Sequence, residues 1–157
     1  MRKVIKSIFV IFLIVVIAAS LLTSCNMQEK ETVTLLGTNA AGNDASTFFV
    51  INPDGTLEPF EIPGNKVLVV TDMDITFRSA SPERTVFVQL YLFNVNFFPY
   101  FQDVTVADAN GDGGLHASLQ TGVRIGPNTV FGVRASSGDV VDPAGIAVTL
   151  HGYLKQN

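Results

Sequence analysis

Two hydrophobic patterns divide the chain. Residues 8–19 form an unbroken apolar run, whereas from about residue 32 onward apolar residues recur in short stretches rich in Val, Thr, Phe and Ile. Gly, Pro, Asn and Asp separate these stretches. Short stretches of β-branched and aromatic residues between turn residues are typical of strands. The pattern therefore predicts a short N-terminal helix followed by a body made of strands.

Ten strands are predicted in the body, at residues 32–36, 47–51, 57–62, 67–77, 85–93, 100–107, 114–119, 122–125, 129–135 and 146–154. Turn-forming sequences separate several of them, because Pro presets φ while Gly and Asn tolerate positive φ. No amphipathic helix connects the strands, which disfavours a parallel βαβ fold. The sequence predicts an antiparallel β-sandwich, jelly-roll-like, of about eight to ten short strands.

Alternation along the longest predicted strand assigns its two faces, since successive side chains point to opposite sides. The face predicted to be buried consists of Val67, Val69, Thr71, Met73, Ile75 and Phe77. The face predicted to meet solvent or a site consists of Leu68, Val70, Asp72, Asp74 and Thr76. Strand 85–93 is apolar on both sides, which predicts a central strand or one in a subunit interface.

Charge changes this picture, because it is distributed unevenly. The 157 residues contain 10 Lys+Arg and 14 Asp+Glu, and three of the cations (Arg2, Lys3 and Lys6) precede the apolar run. Residues 25–157 therefore carry 10 − 3 = 7 cations against 14 acids, a net charge of −7. An acidic body argues against a nucleic-acid partner. One Cys excludes an internal disulfide, and two His exclude a His-rich metal site.

The first 25 residues have the organisation of an export signal. Cations are followed by an apolar run that is too short for a membrane span, and Leu22-Thr23-Ser24-Cys25 follows the run. This sequence resembles the lipobox of bacterial lipoproteins. The resemblance implies that the Cys25 thiol is diacylglycerol-modified, that the peptide is cut before Cys25, and that the new amino terminus is acylated.

The resemblance also implies an organisation and a location. Residues 1–24 would be the signal peptide, residues 25–31 a lipidated polar tether, and residues 32–157 the β-sandwich domain. The lipid bilayer is then a partner through acylated Cys25, and the cell envelope is the location. Asn26 in place of Asp favours the outer membrane in a cell that has two membranes. The alternative is an ordinary signal peptide or anchor helix with an incidental Cys.

The segment 108–114 resembles the first half of a calcium loop. Asp108, Asn110 and Asp112 place oxygen ligands at alternate positions before glycines, and hard Ca²⁺ prefers oxygen. Position 12 is Leu119 instead of the bidentate Glu of an EF-hand, and the flanking segments are predicted strands. A structural calcium ion bound by these three residues is one hypothesis; the other is a plain hairpin tip. No other cofactor is predicted.

Two further groups of residues suggest chemistry. Asp72 and Asp74 share one strand face, so they are candidates for a carboxylate pair; the alternative is a solvated strand face. His116 and His151 are candidate bases or ligands, or else ordinary strand histidines. No Gly-x-Ser-x-Gly or Walker sequence occurs. The sequence therefore predicts that the protein is not an enzyme.

Residues 93–101 are rich in aromatic side chains. Phe97, Phe98, Tyr100 and Phe101 are a candidate patch for sugars, peptides or a neighbouring subunit. The chain contains no Trp, which weakens the sugar interpretation. The alternative is that these rings close one end of the sandwich core.

These features lead to one main hypothesis and two alternatives. The main hypothesis is a membrane-anchored bacterial lipoprotein with a non-enzymatic β-sandwich domain for binding, adhesion or envelope assembly, whose partner is an envelope protein or glycan. The alternatives are a calcium-stabilised carbohydrate-binding module and a small hydrolase that uses Asp72 and Asp74. At the level of fold alone, residues 62–67, 126–129 and 151–154 are similar to jelly-roll domains that trimerise, which implies a homotrimer.

Overall fold

The computed structural model describes residues 30–93, 99–138 and 142–157. Within these residues the protein is all-β and contains no helix. Its strands are β1 (Glu31–Asn39), β2 (Asp44–Ala45), β3 (Phe48–Ile51), β4 (Leu57–Pro59), β5 (Lys66–Arg78), β6 (Thr85–Leu92), β7 (Pro99–Val106), β8 (Gly113–Ile125), β9 (Phe131–Ser136) and β10 (Ala144–Gln156). The described part of the chain has no helix that could span a membrane.

The strands form two antiparallel sheets, a six-stranded sheet in the order β4-β3-β1-β10-β5-β8 and a four-stranded sheet in the order β2-β9-β6-β7. Strand β1 pairs with β10, β2 with β9, β5 with β8 and β6 with β7. In chain order, the first strand pairs with the last and the second with the last but one, and the pairs β5–β8 and β6–β7 lie inside these. Strands β3 and β4 extend the larger sheet. This nesting is the jelly-roll arrangement, so the predicted fold class is confirmed.

The core lies between the two sheets. It contains the inward side chains of both, with Val86, Val88 and Leu90 of β6 fully buried opposite Met73 and Ile75 of β5. Burial of this apolar area is the main force that holds the sheets together. Strand β6 is central in its sheet, as predicted, and Phe87 on its outer side is exposed.

A bulge at Thr71 overturns the predicted faces of β5 before Thr71, whereas Met73, Ile75 and Phe77 are buried as predicted. Neither neighbouring strand pairs with Thr71: the partners step from Val70 directly to Asp72 on both sides. An extra residue of this kind reverses the alternation beyond it. Leu68 and Val70, predicted to face outward, therefore join the core cluster with Met73, Ile75 and Phe77. Val67 and Val69, predicted to lie in the core, are buried on the other side of the sheet.

Several predicted strand boundaries also differ from the structure. Segments 114–119 and 122–125 belong to one strand, β8, whose pairing with β5 is interrupted between Ser118 and Val123. The two-residue strand β2 was not predicted, since it is too short to show alternation. Strand β1 begins at Glu31, one residue before the predicted start of the domain. The predicted signal peptide, Cys25 and most of the tether lie outside the described residues.

Candidate functional site

Three neighbouring strands bring four ionisable side chains onto the outer face of the six-stranded sheet. Asp74 of β5 is the direct cross-strand partner of His116 of β8, and Asp72 is the partner of His151 of β10. The Nδ1–H of His116 donates to Oδ1 of Asp74 at 2.8 Å, while Nε2 of His151 lies 3.7 Å from Oδ2 of the same carboxylate. The Thr34 hydroxyl lies 3.3 Å from Nδ1 of His151. Asp72, Asp74, His116 and His151 are called the His–Asp cluster below.

Local hydrogen bonds tune this cluster. Side-chain hydrogen bonds from Thr71 and Ser118 lower the pKa of Asp72, and the nearby imidazoles add a smaller effect in the same direction. The side chains of His116, Asp74 and His151 are 62%, 49% and 44% exposed. The cluster therefore lies on an open surface where water competes for every contact.

The sequence suggests Asp72 with Asp74 as one pair and His116 with His151 as another. It does not predict that the two pairs lie close together. Their proximity depends on β10 lying beside β5, a pairing of residues far apart in the chain. No signal in the sequence specifies that neighbour. In the described ranges, no three His, Cys, Asp or Glu side chains are grouped in a way that could hold a metal ion.

The segment 108–114, called the Asp-rich loop below, is organised by hydrogen bonds to its own backbone. Oδ1 of Asp108 accepts the N–H groups of Asn110 and Asp112 at 2.7 and 2.9 Å. These bonds lower the pKa of Asp108. Oδ1 of Asp112 accepts the N–H of Ser79 at 3.4 Å, which connects the loop to the β5–β6 turn.

The calcium hypothesis for Asp108, Asn110 and Asp112 stays a prediction. One carboxylate oxygen of Asp108 already has two backbone partners, so an ion would have to compete with them. A rise in melting temperature with millimolar calcium, lost on Asn110→Ala, would support the site. An unchanged melting temperature would remove it.

The predicted aromatic patch is only partly within the described residues. Phe97 and Phe98 lie outside them. Tyr100 is half exposed on β7, whereas Phe101 faces the other way and packs against the core. Tyr100 therefore lies at the surface, whereas Phe101 contributes to the core.

A polar network crosses the outer face of the four-stranded sheet. Nη2 of Arg134 on β9 donates to Oε1 of Gln89 on β6 at 2.9 Å, and Nε2 of Gln89 donates to Oε1 of Gln102 on β7 at 2.7 Å. The Tyr91 hydroxyl donates to Oδ2 of Asp44 on β2. All four strands of the sheet contribute a side chain to this network.

Aromatic rings border the network. Tyr91 reaches across Gly132, where a Cβ would lie 2.6 Å from the Tyr91 hydroxyl oxygen. Its ring meets that of Phe93 edge-on, with centroids 5.3 Å apart, and Phe93 and Tyr100 are 44% and 50% exposed. Burial, followed by the bond to Asp44, raises the pKa of Tyr91 well above its usual value. We call this surface the aromatic–amide face; it consists of Gln89, Tyr91, Phe93, Tyr100, Gln102 and Arg134.

A groove of about 530 Å³ lies next to this face, between residues 46–48, 59–62 and 128–131. The rings of Phe48 and Phe131 stack at 4.8 Å along it. Val130 lines the groove, and its carbonyl accepts the N–H of Phe93 at 2.8 Å. The groove has the volume of ordinary ligand sites and adjoins the aromatic–amide face at this contact.

Comparisons with known proteins find solved structures of low similarity and no family. No protein-family model and no curated protein matches the chain. Among solved structures, Eiger TNF from S. frugiperda is 6% identical, with 77% of this chain and 91% of that chain covered and a TM-score of 0.43. The globular domain of zebrafish complement 1qA is 14% identical (82% and 100% covered, TM-score 0.40). A structure described as a CBM4 protein is 12% identical (73% and 71% covered, TM-score 0.32). Similarities this low assign no function to this chain.

Proposed function

We propose that the protein is a bacterial lipoprotein that is anchored to a membrane through acylated Cys25 and whose jelly-roll domain binds a partner without catalysing a reaction. The anchoring is supported by the sequence Leu22-Thr23-Ser24-Cys25 after a charged and apolar segment. Several acyl chains would make the attachment stable, since each buried CH₂ contributes about 0.8 kcal/mol. The cell envelope is the proposed location.

The tether would keep the domain close to the bilayer. Residues 26–30 separate Cys25 from the first strand, which begins at Glu31. A chain of this length reaches at most about 17 Å when it is fully extended. A partner in or near the same membrane would therefore be within reach.

The observation that carries the binding role is the aromatic–amide face, where polar side chains from neighbouring strands hold one another in place beside exposed rings. Such an ordered surface loses little side-chain entropy when a ligand binds. The His–Asp cluster is instead solvated, and electrostatic catalysis depends on groups shielded from water. A binding role therefore accounts for the aromatic–amide face and the His–Asp cluster better than a hydrolytic role does.

Metabolic labelling with an alkyne fatty acid tests the anchoring in the producing cell. The wild-type protein should incorporate the label and enter the detergent phase of Triton X-114, and Cys25→Ala should abolish the labelling. Ser24→Ala is the matched control, because it keeps a small residue before Cys25 and should label like the wild type. Labelling of Cys25→Ala at the wild-type level would contradict the proposal.

A further inference from the structure

We propose that the aromatic–amide face binds an uncharged glycan, with pyranose rings stacked on Tyr100 and Phe93 and hydroxyl groups bonded to Gln102 and Gln89. This inference rests on the proposed binding function and names the ligand class for it. Three features of the face carry it: unused hydrogen-bonding capacity, exposed rings and electrical neutrality.

The polar network has hydrogen-bonding capacity to offer to a ligand. Gln102 accepts one hydrogen bond from Gln89, and within the described residues the structure shows no acceptor for its own amide hydrogens. Gln89 is fixed on both sides, by Arg134 and by Gln102. Planar amides fixed in this way can donate and accept side by side. The neighbouring hydroxyls of a sugar need that combination.

Exposed rings lie beside these amides. Tyr100 is the unpaired residue of a bulge at the start of β7, between Pro99, the partner of Tyr91, and Phe101, the partner of Leu90, and it is 50% exposed. Gln102, the partner of Gln89, is two residues further along the strand. The backbone N–H of Phe93 donates to Val130, which ties the end of β6 to β9. Sugars present an apolar C–H face and polar edges, so a ring next to an amide matches both parts of one pyranose.

The charge of the face matches a neutral ligand. Asp44 and Arg134 are opposite charges on adjacent strands and directly paired residues, so they offset each other. A further carboxylate in the strands of this sheet, Asp103 of β7, is the partner of the buried Val88 and therefore lies on the opposite side of the strand from Gln102. The carboxylate of Asp142, outside the strands, accepts hydrogen bonds from Asn43, from the hydroxyl of Ser136 and from the backbone N–H of Ser137. Nucleic acids and anionic lipid surfaces require clustered cations, which this face lacks. A basic peptide would require excess carboxylate.

Titration of the full-length protein in detergent, followed by tyrosine fluorescence, tests the inference. The chain has no Trp and three Tyr, two of which belong to the face, so a ligand there should change the signal. The probes are hexamers of N-acetylglucosamine, glucose and mannose, each up to about 10 mM, well above the weakest affinity worth detecting. We expect saturation with at least one of them.

Variants separate glycan binding from general adhesion. Tyr100→Ala and Gln102→Ala should each weaken binding at least about tenfold, which corresponds to 1.4 kcal/mol. Leu57→Ala is the matched control: Leu57 is 50% exposed, like Tyr100, but lies on β4 of the other sheet, and its loss should leave the affinity within about twofold. Isothermal calorimetry provides the affinity of the Tyr100→Ala variant, which lacks one of the reporting tyrosines.

Three results would overturn the inference. The first is no saturable change with any of the three hexamers. The second is an equal loss of affinity on Leu57→Ala and Tyr100→Ala without a loss on Gln102→Ala, which would indicate simple apolar contact. The third is saturation by an uncharged hexapeptide and by none of the sugars.

Failure of the proposed anchoring can be distinguished from failure of this inference. Cys25→Ala should bind the hexamer like the wild type while it loses acyl labelling. Gln102→Ala should show the reverse, with full labelling and weakened glycan binding. Each variant therefore tests one of the two proposals alone.

Discussion

Gly111 is the residue on which the Asp-rich loop depends most. Its φ is +82°, and a Cβ there would lie 2.1 Å from the carbonyl oxygen of Ala80. Gly111→Ala should cost about 1–2 kcal/mol for the left-handed conformation and a further 1–3 kcal/mol for the steric conflict. Urea unfolding followed by circular dichroism would measure the sum.

Gly55 provides the control for this prediction. It has the same φ of +82°, but a Cβ there would meet nothing within 4 Å. Gly55→Ala should therefore show the conformational cost alone, about 1–2 kcal/mol. Equal destabilisation by both substitutions would contradict the close packing of the loop on the β5–β6 turn.

Tyr91 should make the domain sensitive to alkali. Because the folded state raises its pKa above the usual 10.0, Tyr91 keeps its proton at pH values where it ionises in the unfolded chain. The unfolded state then binds fewer protons, so the free energy of unfolding should fall as the pH rises above about 10. Unfolding midpoints between pH 8 and 11 would measure this.

Tyr91→Phe should reduce that alkaline loss, since it removes the ionisable group. The variant should also be less stable at neutral pH, because the carboxylate of Asp44 loses its partner. An identical pH profile for Tyr91→Phe and the wild type would show that another group causes the loss.

At the scale of elements, the bulge in β5 has the clearest energetic consequence. Leu68 is 1% exposed and belongs to the core cluster, although alternation along an unbroken strand places it with the aspartates. Leu68→Ala should cost about 2–5 kcal/mol. Thr76→Ala, at an exposed position of the same strand, should stay within about 0.5 kcal/mol. Similar small effects at both positions would contradict the reversed alternation.

The strands themselves could largely be predicted from the sequence, because alternation and turn residues are local signals. Most predicted strands agree with the structure to within a few residues. The bulge at Thr71 could not be predicted, because it depends on how β10 and β8 pair with β5. The interruption in the pairing of β8 with β5 has the same cause. Register describes how two paired strands are aligned, so the hydrophobic pattern of one strand alone does not specify it.

At the scale of the whole molecule, the jelly-roll fold could be predicted, whereas the surfaces it creates could not. The class followed from short strands without helices. The aromatic–amide face joins residues of β6, β7 and β9, and Asp44 of β2 holds its Tyr91. Of the two predicted patch residues that the structure describes, Tyr100 belongs to it and Phe101 does not. Its polar members, Gln89 and Gln102, looked like ordinary strand residues in the sequence.

A homotrimer remains the prediction for the assembly. The outer side of β6 and β7 exposes Phe87, Val104 and Val106, and exposed apolar side chains that lie together often mark an interface. Light scattering coupled to size exclusion, on the Cys25→Ala protein, should give three times the mass of one chain. Val106→Asp should shift the protein toward monomer. A monomeric mass for the Cys25→Ala protein without the Val106 substitution, at micromolar concentration, would contradict the prediction.

The central claim, a lipid-anchored binding domain, is tested most directly by mass spectrometry of the amino-terminal peptide from the membrane fraction. Trypsin would release residues 25–30, since Lys30 is the first cleavage site after Cys25. The proposal predicts that this peptide begins at Cys25 and carries a diacylglycerol on the thiol together with an acylated amino terminus. A mature chain that begins at another residue, or an unmodified Cys25, would contradict it.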